Sequence, residues 1–553
     1  VLNGGSIGTT RETPAATQMG RNISLTGAGG GISVALHPIT WTGSISGSGQ
    51  FVKSGDGELW VTGATSYTGG TLVARGTLRV DADNKLGAAG TGVTLKDNGA
   101  LRASETFASA RNFQLVGAPG AGGVFLVDGD KTLTLSGIVG GSGGLTKLAA
   151  GTLVLTGANT YGGWLNINGG TVQGSTSSLH GAITFDFNKN NPIARSVTFD
   201  QGTDGTYASP ISGVGSLTKT GAGKLTLSGK NNYSEGTSVL AGTLQGTTNS
   251  LQGKILNNAT VIFDQNTDGI YAGQMIGTGA LIKNGTGKVN LTGTSSVKGG
   301  TTINAGGLAV NGKLTSNVTI NKGGTLSGVG NIEGSITNNG GTINPGNSIG
   351  HLTVDGNFTF NAGTLAIEID PQGDSDRISV VGADHKVMIN AGLLQILPQA
   401  GLYVPNTTYT IITTEAGGTV WLGDVAGGIG FLTPKVSLNG GVVSVSLVLA
   451  PNAFRSAGQT VNQQSVGGAL DALAASGSVG GIVTTMANLQ VAQGGAALQA
   501  LSGQPYADFG TLNTRASQLF MNAVGRQMAT ERGAGLGGPQ RVALAEACDV
   551  ACD

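Results

Sequence analysis

The sequence predicts an all-β chain, a right-handed parallel β-helix (solenoid) with a C-terminal β-rich cap and a short α-helical linker. Three observations predict it. Glycine supplies 100 of the 553 residues while charged residues make up only 11%, against the usual ~7% and ~25%. Apolar residues recur with period two in short runs such as Leu225-Thr226-Leu227 and Leu153-Val154-Leu155, the spacing of a half-buried strand. Four segments also repeat one another, and an internal repeat marks a stacked architecture. Collagen is excluded because Phe51-Val52-Lys53-Ser54 breaks a three-residue glycine period. Disorder is excluded by recurrent Val, Ile, Leu and Phe at zero net charge.

The repeats are Gly47–Val80, Gly143–Val172, Gly215–Leu244 and Gly279–Leu308. Their lysines Lys53, Lys147, Lys219 and Lys283 are separated by 94, 72 and 64 residues, and VTFDQGTDGTYASPISG from Val197 recurs as VIFDQNTDGIYAGQMIG from Val261. Neighbouring copies therefore read as modules of about three turns of ~21 residues. Each strand stops at glycine or asparagine, such as Gly229, Asn231-Asn232 and Gly236, residues that accept positive φ where a β-carbon would clash. Stacking such turns at ~4.8 Å gives roughly 16–20 turns over residues 1–450. An antiparallel sandwich is the alternative, though sandwiches do not show such modules.

Beyond Asn344 the strands lengthen and the repeats stop. After Pro451 alanine and glutamine rise, and Leu512, Ala516, Leu519, Phe520 and Ala523 fall on one face of an amphipathic helix. The expected divisions are a repeat-containing β-helix over residues 1–343, a β region over 344–450 and a helical linker over 451–553. No run of 18 apolar residues predicts a membrane helix. The first residues, Val1-Leu2-Asn3-Gly4-Gly5, lack a charged and an apolar leader region, so the sequence reads as a processed chain. Thirty Lys and Arg balance thirty Asp and Glu, which gives no electrostatic case for nucleic acid or anionic membrane.

The repeats resemble the autotransporter-associated β-strand repeats in passengers of monomeric (type Va) Gram-negative autotransporters. Residues Asn344–Ala450, with PGNSIG at Pro345–Gly350, IEIDPQGDSDRISV at Ile367–Val380 and TYTIIT at Thr408–Thr413, are similar to the pertactin-like C-terminal autochaperone region. The resemblance covers roughly residues 45–530. It implies export through the periplasm, display at the outer membrane C-terminus first, release in some family members, and a partner β-barrel that would follow this chain. It implies too that the region resembling the autochaperone folds first and templates later turns.

His37, His180, His351 and His385 are dispersed, with no HExxH and no GxSxG. Ser375 sits in Gly373-Asp374-Ser375-Asp376-Arg377, a turn of the autochaperone-like region rather than a nucleophile elbow. Gly307–Leu314 resembles a phosphate loop but has Leu314 where magnesium binding needs Ser or Thr. Asp200–Gly205 and Asp264–Gly269 match half an EF-hand loop, but Ile211 and Met275 stand where the bidentate Glu belongs, so they read as Asx-stabilised corners. Cys548 and Cys552 suit a small local disulfide rather than zinc. No catalytic, cofactor-binding or metal residue is assigned.

Partner contact is expected instead. Alternation between inward Leu59 and Val61 turns Trp60 outward, and Trp164 replaces the threonine of the Gly-Gly-Thr corner, while exposed tryptophan is enriched in binding hot spots. The extra length Ser104–Lys131 and the polar Asn188–Arg195 segment read as candidate loops, with Arg195 as a third partner-binding residue. Trp41 and Trp421 are expected to pack in the cap and the chaperone-like region. No RGD tripeptide occurs. The reading is a monomeric, non-enzymatic virulence factor, secreted or surface-displayed. As an adhesin or in complement evasion, it would bind a host cell-surface or plasma protein. An enzymatic passenger (protease, esterase or glycosidase) is the alternative.

Overall fold

A three- to five-residue strand with one apolar face must bury that face and pair both edges, and coiling the chain so that each turn pairs with the next does both. The computed structural model describes residues 1–11, 17–416, 420–421, 423–477 and 479–532. Two compact units divide the chain.

The first, residues 1–399, 409–426 and 436–445, is a parallel β-solenoid of about 17 turns. One interior stack runs Leu59, Leu78, Leu101, Phe125, Lys147, Ile167 and Phe185, each in parallel register with the next. These residues are fully buried and lie 18 to 24 residues apart, which brackets the expected turn length. Each buried aliphatic or aromatic member contributes about 1.5–3 kcal/mol by leaving water.

The copies do not repeat after three whole turns. From Leu153 the register passes through Val172 and Val197 to Leu217, the start of the third repeat's lysine strand. From Leu225 it passes through Leu244 and Val261 to Leu281, which likewise begins the fourth. The second and third copies, and the third and fourth, are thus three turns plus one face apart, whereas the first two are four turns plus one face apart. The lysine strands accordingly fall in four different sheets.

The Ser104–Lys131 segment is corrected from a loop to further solenoid strands, Phe107–Ser109, Phe113–Val116 and Gly123–Val127. Its Phe113, Leu115, Phe125 and Val127 are buried, so its extra length serves the core. Strands lengthen to 10 residues at Ile336–Pro345 and 12 at Phe358–Ile369.

At one corner the backbone favours glycine. Gly55, Gly221 and Gly285 have φ of +73°, +74° and +73°, and a Cβ there would sit 2.3–2.5 Å from a carbonyl oxygen of the preceding turn. Ala149 holds the same place in the second copy, at φ +63°. Ala149→Gly should therefore raise stability by about 1 kcal/mol. Urea unfolding measures it, and a loss of stability would contradict strain at this corner.

The second unit comprises residues 400–408, 427–435 and 446–553. Helices α1 (Ala453–Ala457), α2 (Val461–Ala475), α3 (Gly481–Asn488), α4 (Gly494–Leu501) and α5 (Gln504–Arg532) follow one another. A capping box between Thr460 and Gln463 starts α2, as a Thr-x-x-Gln pattern allows. The rings of Phe431 and Phe454 meet edge-on at 5.3 Å. Helix α5 carries the expected periodic residues, but Leu512, Leu519 and Phe520 are 65%, 67% and 68% exposed.

Candidate partner-binding surface

The repeat lysines are a feature that sequence reading missed. Alternation places Lys219 inward beside Leu217, and the four lysines are wholly buried. Each ammonium grips the corner that follows it. Lys53 Nζ donates to the carbonyls of Ser54, Gly55 and Arg75 at 2.9, 2.8 and 3.0 Å. Lys147 does so to Leu148, Ala149 and Gly169 at 2.7, 2.7 and 3.2 Å. Lys219 and Lys283 repeat the pattern onto Thr220, Gly221 and Ala241, and onto Asn284, Gly285 and Ala305. The third acceptor always lies 22 residues on, in the next turn, so each lysine is a staple between turns. Burial pushes Lys147 down to about 7 and Lys53 to about 8, with Asp56 and Glu58 opposing it at Lys53. It lowers Lys219 and Lys283 too. The three carbonyl acceptors work the other way, favouring the charged form. Inward parity was the available signal.

The predicted partner residues separate. Trp164 is 54% exposed at its corner, where its carbonyl accepts the Leu145 N–H at 2.9 Å and its N–H donates to Pro119 at 3.4 Å. Trp60 stands outward between Thr40 and Arg79 of the adjacent turns. The Arg79 guanidinium lies 4.0 Å over its ring, half-burying it and leaving Trp60 Nε1 without a hydrogen-bond partner. Beside it Arg102 bridges Glu58 and Asp128 at 2.9 Å each.

Arg195 is corrected from a surface contact to an internal support. It is buried, with Nε donating to the Val214 carbonyl at 2.7 Å and Nη1 to Asn188 at 3.3 Å, and with Asp186 3.8 Å away. A guanidinium placed under a loop must pair there, because burying it unpaired is costly. Trp41 is buried in the N-terminal turns. The side chain of Trp421, and Cys548 and Cys552, lie outside the described residues.

The Asp-rich corners point their carboxylates along the solenoid. Asp204 and Asp268 Oδ1 each accept a backbone N–H of the next turn, from Lys224 and Lys288, at 2.8 Å. Among the described residues no three His, Cys, Asp or Glu side chains converge on a metal site. Gly307–Leu314 leads into the strand Lys313–Thr315, and Leu314 is buried. Ser375 donates to the Thr410 carbonyl at 3.0 Å. Its neighbour Asp376 is fully buried and accepts the N–H of Gly350 at 2.9 Å and of Glu368 at 2.8 Å, pinning Pro345–Gly350 against the strand Phe358–Ile369. Burial raises Asp376 to about 7 against the pull of those two donors.

Four segments, residues 51–80, 145–173, 217–245 and 281–310, match the Passenger-associated-transport-repeat family. They coincide with the four lysine-stapled copies. The chain is also 32% identical over 185 residues to a protein named "Adhesin BmaC autotransporter" from Brucella suis biovar 1 (strain 1330), a match covering 34% of this chain. The matched part spans only 5% of that relative's length.

Proposed function

We propose, on the premise that this chain is an autotransporter passenger built on four passenger-associated-transport repeats, that it binds a host cell-surface or plasma protein without chemistry. Display at the bacterial surface by type V secretion belongs to the same reading. So does the division at 343/344 and 450/451, with residues 344–450 acting as the segment that folds first. The observation that carries it is Trp164, a large aromatic side chain more than half exposed at the corner that precedes the strand Leu165–Ile167. A rigid aromatic anchor loses little entropy on binding. The name of the Brucella relative supports the adhesive side of the reading.

Immobilised full chain should capture a defined protein from host serum or cell lysate, with Trp164→Ala weakening capture by about tenfold or more (~1.4 kcal/mol). Trp60→Ala should cost less, since Arg79 already covers that ring. Unchanged capture by Trp164→Ala would remove this corner from the site. Robust turnover of peptide, ester or glycoside substrates would overturn the non-enzymatic reading.

A further inference from the structure

The loop after the strand Ile183–Phe185 has no counterpart in the duplicated module. Gly181 to Val197 in one copy corresponds to Gly253 to Val261 in the other, an excess of eight residues. The solenoid closes that corner without them, so the insertion is not needed for stacking. It is nevertheless tied together by its own polar groups. Asp186 accepts the Asn188 N–H at 3.0 Å and the Asn191 side chain at 3.2 Å, and Asn188 accepts the Asn190 N–H at 3.0 Å. Asn191 ties the loop to the Asn168 carbonyl at 3.1 Å, and buried Arg195 holds it from beneath. The loop presents Phe187, 65% exposed, and Lys189. Asp186 and Arg195 face each other at 3.8 Å, which leaves Lys189 as the loop's uncompensated charge among the described residues.

A receptacle of opposite character exists on the helical unit. A cavity of about 550 Å³ is walled by Pro405, Leu449, Ala450, Pro451 and Ala472, and contains the carboxylate of Asp471. Asp471 accepts the N–H groups of Phe454 and Arg455 at 3.0 Å each, and a carboxylate has acceptor capacity beyond two bonds. One surface is convex, aromatic and cationic; the other is concave and anionic, its aliphatic wall interrupted by Asn406 and Asn452.

We infer that the Phe187–Lys189 loop of one copy seats in the Pro405–Leu449–Asp471 cavity of a second copy, Phe187 filling the aliphatic space and Lys189 facing Asp471. Knob and socket are different patches, so the contact is heterologous and propagates from copy to copy instead of closing on a dimer. A buried phenylalanine removes about 150–250 Å² from water, and a contact of one loop falls below the roughly 1,200 Å² of a stable interface. Association is therefore weak in dilute solution, consistent with a monomer there, and becomes significant where chains are crowded. The contact itself does not rest on the host-binding reading; its importance at a surface does.

Sedimentation velocity of the full chain, from micromolar to near-millimolar concentration, tests this. Wild type should show a concentration-dependent rise in sedimentation coefficient. Phe187→Ala, which lacks the knob, and Ala472→Arg, which blocks the socket at an exposed helix position, should each associate at least about tenfold more weakly. Mixed together, these two variants should form one-to-one dimers and nothing larger, because each retains one half of the contact. Both substituted residues are exposed, so folding is preserved, which circular dichroism checks. Monomeric wild type at the highest concentration, undiminished association of Phe187→Ala, or a mixture that stays monomeric would each overturn the proposal.

Discussion

Lys147→Met should lower stability by roughly 2–4 kcal/mol and loosen two turns at once. Methionine keeps the aliphatic stem in the stack between Phe125 and Ile167, so packing is largely retained. What is lost is the donor to the carbonyls of Leu148, Ala149 and Gly169, and a buried polar group left unpaired costs about 1–3 kcal/mol. Release of a buried ammonium offsets part of that. Native-state hydrogen exchange should show faster exchange at residues 149–151 and again at 170–171. Wild-type protection at both corners would remove the staple. The pH dependence has a definite sign. Lys147 falls to about 7 in the fold, against about 10.4 in an unfolded chain. Between these values the unfolded state binds the proton that the folded state releases, so stability rises as pH increases from about 7 to about 10. Lys147→Met should make that rise shallower, with Lys53, Lys219 and Lys283 still contributing to it.

Asp376→Ala should cost about 2–3 kcal/mol, because the N–H groups of Gly350 and Glu368 lose their shared acceptor inside the protein. The effect should be local, with proteolytic cutting at Pro345–Gly350 appearing before the repeats are touched. Simultaneous loss of protection over the whole solenoid would count against a local clamp. Here the pH sign is reversed. Asp376 rises to about 7 in the fold, against about 3.9 unfolded. The folded state holds the proton longer, so this group's contribution is complete below about pH 4 and is lost as pH climbs through 7. The two windows adjoin without overlapping, so each variant should make its own limb of the stability profile shallower.

Much of this arrangement was legible because it depends on short-range pattern. Leu225 and Leu227 announce a strand by alternation, and the lysine spacing announces the copies. Helix α5 follows from the spacing of Leu512, Leu519 and Phe520. What escaped depends on which turn lies above which. Trp60 reads as an open aromatic until register sets Arg79, nineteen residues on, over its ring. Arg195 reads as surface because its neighbours are polar; its burial follows from the Val214 carbonyl on the next turn. Lys219 was visible as inward by parity, yet nothing local reveals that Ala241 would accept its third hydrogen bond.

The one-face advance between copies has a consequence for display. Had the copies been separated by whole turns, every equivalent residue would look out from a single side. Because each copy starts one sheet further round than the last, equivalent side chains wind about the axis like treads of a spiral stair. A ligand that recognises a feature common to the copies would find one from whichever side it approaches. Neighbouring sites would not compete for the same space, and a chain lying flat against a cell would still hold copies clear of it.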